Sequence, residues 1–172
     1  PEPPQIWAVL QVVVAGLLEG APLPPPGSIV GARNVAVCEE CPLEKDEKAI
    51  KKFFRPYEIT PVPGKCLLDQ GLVCMGPATR AGCGSLCPQV SMGCRGCYGP
   101  LEGVEDQGAK MLSAIASVIG AGNPEMEEDE LEKEIQAVVD TIPDPAGTFY
   151  RFSMAHSLLR RANLNGNEKG EA

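Results

Sequence analysis

Apolar residues recur at helical spacing near both ends of the chain and at no regular spacing in its middle. Near the start, Ile6, Leu10, Val13, Val14 and Leu17 recur at helical spacing, Pro3 and Pro4 suit a first turn, and Gly20 suits a stop. One helix is predicted there. The run Pro22-Leu23-Pro24-Pro25-Pro26-Gly27 cannot continue it and reads as a stiff linker. Toward the other end, residues 104–119 place Leu112, Ile115, Ala116 and Ile119 on one face, with Gly120 and Gly122 as stops. Residues 127–139 gather Leu131, Ile135, Val138 and Val139 and turn their acidic residues outward. A further helix is predicted over residues 149–161, after the turn Pro143-Asp144-Pro145-Ala146-Gly147, and the polar tail 163–172 reads as frayed. The spacing over Lys45 to Phe54 predicts a short helix closed by Pro56. Residues 56–100 are different. Gly or Pro falls there every few positions and no period of 2 or 3.6 survives, so something other than ordinary packing must hold this backbone. No internal repeat is visible.

Composition narrows the class. The 172 residues hold 15 Lys+Arg against 23 Asp+Glu, a formal charge of −8, and the sequence pI is about 4.7. That argues against a nucleic-acid partner, whose binders carry a basic face. The acidity belongs to residues 101–172, with 14 acidic and 6 basic side chains, whereas residues 38–100 are close to neutral. Hydrophobic residues make up 44%, which excludes disorder by composition. With 5% aromatics, 19 Gly and 17 Pro, the predicted core is small and loop-rich. The most apolar stretch, Ile6 to Leu18, is 13 residues interrupted by Gln11. That is short of the ~20 needed to span a bilayer. The chain starts at Pro1 rather than Met, as a processed protein or a piece of a longer one would, so targeting cannot be read from it.

The eight cysteines change the picture most. Cys38, Cys41, Cys66, Cys74, Cys83, Cys87, Cys94 and Cys97 all lie between residues 38 and 97, and none is elsewhere. Cys38/Cys41 and Cys94/Cys97 are C-x-x-C pairs, a spacing that points two thiolates at one metal centre from a single tight turn. Eight thiols divide naturally into two sets of four. Cys41-Pro42 and Cys87-Pro88 are similar to the Cys-Pro that ends ferredoxin-type runs, and Gly64, Gly76, Gly82, Gly84, Gly93 and Gly96 let backbone amides approach sulfur. Three readings stay open on spacing alone. Two iron–sulfur clusters, each held by four cysteines, explain the cysteines and the irregular backbone together. Two structural zinc sites would use the same pairs, although the other intervals, x7 and x3, do not form a second pair of knuckles. Four disulfides would suit a small secreted scaffold, but this chain has helical segments outside the cysteine region.

The run from Cys66 through Cys74-Met-Gly-Pro-Ala-Thr-Arg-Ala-Gly-Cys83-Gly-Ser-Leu-Cys87-Pro to Met92-Gly-Cys94-Arg-Gly-Cys97-Tyr-Gly-Pro100 is distinctive. It resembles the small, electron-transferring subunit of cytoplasmic nickel–iron hydrogenases, closest to the methyl-viologen-reducing (deazaflavin-non-reducing) type of methanogens. The segments from Asp106 to Ser113 and from Pro143 to Phe152 resemble the C-terminal part of that subunit. The resemblance implies a mostly α chain with irregular Cys/Gly/Pro-rich cluster-binding loops, acting in the cytoplasm. Residues 1–37 would be the end of a flavodoxin-like α/β domain, whose remainder would carry a third, proximal cluster. Residues 38–172 would be the two-cluster domain. By the family's ligand order, Cys38, Cys41, Cys66 and Cys74 would hold a distal 4Fe–4S cluster. Cys83, Cys87, Cys94 and Cys97 would hold a medial one. The periplasmic members of the wider family differ by a histidine where this chain has Cys38 and often by a proline where it has Cys87, so both sites would be all-thiolate.

The implied partners are a large subunit with the nickel–iron site and an acceptor. The acceptor would be a small iron–sulfur subunit leading to heterodisulfide reductase or, as in sulfhydrogenases, a flavin-containing NAD(P)-linked subunit. No catalytic constellation is present in the chain itself, and a zinc-stabilised interaction module is the alternative from another class. His156, the only histidine, reads as a surface or packing residue. Arg80 and Arg95 sit beside cysteines and read either as charges near sulfur or as ordinary ion-pair partners. Asp69 and Gln70 read as hydrogen-bonding partners for a loop amide, Trp7 and Phe53-Phe54 as core or subunit contacts, and the acidic run 125–134 as a solvated helix face.

Overall fold

The computed structural model describes residues 3–26, 28–46, 50–121 and 127–159. They are mostly helix and loop. Helix α1 spans Pro3–Glu19 and ends as its sequence predicts, with Gly20 in the left-handed conformation (φ 66°) that a helix stop favours. Much of its apolar surface faces outward: Trp7 is 63% exposed and Leu18 is 82% exposed. Strand β1 (Arg33–Ala36) pairs antiparallel with β2 (Arg80–Ala81), Arg33 opposite Ala81 and Ala36 opposite Arg80, with an irregularity between. The four-residue α2 (Leu86–Gln89) follows, then α3 (Gln107–Ala121), α4 (Glu128–Val139) and α5 (Pro145–Phe149).

The core is built from distant stretches. Ile50, Phe53, Met75, Met111, Ile115, Ile119 and Phe149 are each 2% exposed or less and belong to one cluster. Helix α3 lays Met111, Ile115 and Ile119 against the 3-10 turn Gly76–Ala78 and against α4, which adds Val138. Leu112, expected on that face, is 37% exposed. Helix α3 begins at Gln107 rather than near Val104, and its packed row is Met111, Ile115 and Ile119 at i, i+4 and i+8, with Leu112 about 100° round from Met111. The Asp106 carboxylate sets that start by accepting the Ala109 amide at 2.8 Å. Gly122, the second predicted stop, lies outside the described residues.

Two other helix predictions are corrected. Among the described residues of 45–54 there is no helix. The Phe53 amide goes to Thr141 Oγ1 (2.8 Å) and the Phe54 amide to the Gly71 carbonyl (2.8 Å), so tertiary partners take the donors a helix would need. The predicted helix over 149–161 is displaced toward the N-terminus. Pro145 supplies a preset first turn, and Asp144 accepts the Gly147 amide at 3.0 Å, so α5 forms where the sequence predicts a turn. The Tyr150 amide then closes onto Ala146, and the chain continues through a 3-10 turn at Met154–His156. The end of that predicted helix and the predicted frayed tail lie outside the described residues. Among the described residues, no helix is long and apolar enough to cross a membrane.

Candidate metal centre

The irregular stretch holds its cysteines by hydrogen bonds that run between loops. Cys38 lies in the 3-10 turn Val37–Glu39, fixed by the Val37 amide on the Thr79 carbonyl at 2.8 Å, and Cys41 follows it. Glu44 and Lys65 form an isolated parallel bridge, in which the Cys66 amide donates to the Glu44 carbonyl at 2.7 Å. Gln70 spans the same loop. Its Oε1 accepts the Val62 amide at 2.6 Å, while Nε2 donates to the carbonyls of Lys65 (3.1 Å) and Cys66 (3.2 Å). Asp69 accepts the Asp46 amide at 2.7 Å, so both of these residues between Cys66 and Cys74 bind loop amides as expected.

These braces bring Cys38, Cys41, Cys66 and Cys74 around one cavity, walled otherwise by Val37, Leu43, Lys45, Leu67, Gly76 and Pro88. A Cβ on Gly76 would lie 3.1 Å from Cys38 Sγ and 3.5 Å from Cys74 Sγ, so glycine keeps this wall clear. Burial, with Cys74 as the main like-charged neighbour, pushes the Cys38 thiol up to about 12. Burial raises Cys66 and Cys74 as well, against the amides of Asp69 and Leu68 at Cys66 and those of Cys94 and Gly76 at Cys74. Alone these thiols stay protonated, and four of them around one cavity are the donor set an iron–sulfur cluster would use.

The second set is less gathered. Cys94 is buried and also raised to about 12, by burial first and then by Cys74, with Cys97 a further neighbour. Its amide donates to Cys74 Sγ at 3.3 Å, so the two sets touch directly there. Gly96 and Thr79 lie beside its sulfur and offset part of that rise. Cys87 lies in α2, and Cys83 couples to Glu40 rather than visibly to the rest of its set. All eight cysteines are free of disulfides. Among the described residues, no three His, Cys, Asp or Glu side chains stand close enough to grip a single metal ion. A 4Fe–4S cluster would take one thiolate on each of its four irons, so its ligands would stand further apart than those of a single ion.

Arg80 directs Nε to the Pro100 carbonyl at 2.6 Å and has Glu102 as its charged neighbour, while Arg95 reaches Met92 Sδ and lines a pocket with Cys94. His156 is exposed, as are most acidic side chains of residues 127–134. Three residues that build the site carry no signal of that role in the sequence: Thr79, Asp106 and Gln107. Gln107 donates to Thr79 Oγ1 (3.1 Å) and to the Gly96 carbonyl (3.2 Å), which ties α3 to the Cys94 loop. Glu40 alone, inside a C-x-x-C pair, stands where a search within the paired knuckles could find it.

No protein-family model matches the chain. It is similar to the G subunit of the F420-non-reducing hydrogenase of Methanothermobacter marburgensis, 41% identical over 160 residues, which cover 91% of this chain and 47% of that protein. The corresponding G subunit of Methanothermus fervidus is 45% identical over 124 residues, 70% of this chain and 93% of the relative. The iron-sulfur G subunit of the F420-non-reducing hydrogenase of Archaeoglobus profundus is 30% identical over 166 residues, 94% of this chain and 47% of the relative. The chain thus spans about half the length of the first and third relatives and nearly all of the second. Identity that covers nine-tenths of the chain takes in the cysteine loops and the helices packed on them together, and the chain belongs to the family of F420-non-reducing hydrogenase G subunits, the iron–sulfur subunits of an oxidoreductase.

Proposed function

We propose that the chain is the C-terminal part of a small hydrogenase subunit that relays single electrons through two 4Fe–4S clusters. Cys38, Cys41, Cys66 and Cys74 would hold the distal cluster, and Cys83, Cys87, Cys94 and Cys97 the medial one. Hydrogen is split at a nickel–iron centre in a separate large subunit, and residues 1–37 end a flavodoxin-like domain that carries a proximal cluster. Electrons leave from the distal set to a small iron–sulfur protein serving heterodisulfide reductase, in the cytoplasm. The observation that supports this most is the ring of Cys38, Cys41, Cys66 and Cys74 around a single cavity.

Bound there, such a cluster supplies reversible one-electron chemistry at low potential. The chain's own residues do the rest. Leu43, Leu67, Val37 and Pro88 exclude water from the sulfurs, which keeps the thiolates from exchange with solvent. The Cys94 and Gly76 amides place partial positive charge on Cys74, and the Gly96 amide does so on Cys94. Gln70 and Asp69 fix the Cys66 loop, so the spacing of its sulfur does not depend on the cofactor alone.

The test is iron and acid-labile sulfide per chain on anaerobically purified protein, with EPR after dithionite reduction. About eight of each, with spectra of coupled reduced centres, is the expected result. Two zinc ions and no sulfide would mean a structural module and remove the relay.

A further inference from the structure

Glu40 lies between Cys38 and Cys41, yet its carboxylate leaves that loop and reaches the other set of cysteines. Oε1 accepts the amides of Gly82 (3.0 Å) and Ser85 (3.2 Å), and Oε2 is 3.1 Å from the Gly82 nitrogen. Oε1 is also 3.7 Å from Cys83 Sγ. The Glu40 carbonyl accepts the Ser85 hydroxyl at 3.2 Å, so side chain and backbone both grip the 82–85 loop. The loop is shaped for this. Ser85 is fully buried with φ 53°, and a Cβ on Gly82 would stand 2.7 Å from the Gly31 carbonyl oxygen. The Glu40 side chain is 10% exposed and pairs with the cation of Arg33, Nη2 at 2.9 Å, itself 62% exposed.

We infer that Glu40 is a positioning residue joining the two cysteine sets, and that its carboxylate holds the medial centre's potential down through Cys83. The inference rests on the two-cluster reading. A carboxylate beside a ligand sulfur disfavours an added electron, while Arg33 offsets part of its charge from the solvent side. The carboxylate's hydrogen bonds run to residues 82–85 and to Arg33, so its electrostatic effect falls mainly on the centre that Cys83 would hold. Two substitutions therefore act in opposite directions.

The experiment uses anaerobic holoprotein with iron and sulfide counted, and potentiometric titration followed by EPR at low ionic strength. Glu40→Gln keeps the shape and one oxygen acceptor but removes the charge, so the midpoint potential of the medial cluster moves up and the distal one stays. Arg33→Gln leaves the carboxylate less neutralised, so the same midpoint moves down, and by less because Arg33 is largely exposed. If Glu40→Gln sheds its medial cluster, the bracing role is supported and Arg33→Gln alone decides the electrostatic one. Unmoved midpoints in both variants, or shifts of the same sign, overturn the inference. A wild-type protein without iron and sulfide overturns instead the two-cluster reading beneath it.

Discussion

Removing the Asp106 carboxylate tests whether the helical part and the cysteine loops are one cooperative unit. Asp106 is 6% exposed. It accepts the Ala109 amide at 2.8 Å as a cap on α3, and the Leu158 amide at 2.8 Å from 52 residues away. Burial alone would raise its carboxyl, but the amides of Ala109, Leu158 and Gly108 and the Tyr150 hydroxyl hold it below the usual carboxylate range. In Asp106→Ala the lost cap costs about 1 kcal/mol. Each further buried donor left without its acceptor adds about 1–3 kcal/mol. With partial rescue by water, a loss of about 3 kcal/mol is expected, and at this chain length that lowers Tm by roughly 6–12 °C. Because Gln107, the next residue, reaches Thr79 and the Gly96 carbonyl, cluster retention should fall together with Tm.

Thermal unfolding of holoprotein by circular dichroism, with iron counted before and after, measures both. The pH dependence has a definite sign. A carboxyl depressed on folding stabilises fully above its unfolded pKa of about 3.9 and loses that contribution as pH falls through its folded value. The gap between wild type and Asp106→Asn should be flat from about pH 5 to 8 and narrow below about pH 4. A Tm change under about 2 °C with full iron retention would refute the coupling, and so would a gap that widens in acid.

On the proposed two-cluster reading, Cys87→Pro should turn the medial site into a 3Fe–4S centre of higher potential, and unchanged EPR spectra would remove Cys87 from the ligand set. Cys38→Ser should impair the distal cluster and electron delivery to the external acceptor, while hydrogen/deuterium exchange at the large subunit in the full complex largely survives; loss of that exchange would place Cys38 nearer the active site. Gly71→Ala puts a Cβ at φ 78° into the Lys52 carbonyl, so a loss of about 2–3 kcal/mol and faster iron release are expected, and wild-type unfolding would refute that reading of the turn.

The two longest C-terminal helical segments and α1 were legible because 3.6-residue periodicity survives wherever one face packs or is apolar. The cysteine loops were legible as chemistry and not as shape. Nothing in a local window says that Gln70 will bind Val62, or that Glu40 will leave its own loop for residue 85, since those bonds answer to tertiary proximity. The failure at Lys45 to Phe54 has the same origin. Its apolar spacing is real, and Ile50 and Phe53 are buried, but the Phe53 amide is claimed from 88 residues away and the Phe54 amide by Gly71. The misplacement of Leu112 has a smaller cause: helical spacing allows both a Leu112 row and a Met111 row beside Ile115 and Ile119, and only tertiary packing buries the second.

The Phe53–Thr141 hydrogen bond closes over a separation of 88 residues, and Glu40 to Ser85 over 45. Such contacts cannot form until both ends have left the ribosome. At about 5–20 residues per second, the whole cysteine stretch is therefore made seconds before Thr141 emerges to take the Phe53 amide. During that interval every thiol is available to oxidants and to whichever metal is nearest. A metal or cluster delivered during synthesis would therefore meet cysteine loops that these distant hydrogen bonds have not yet locked.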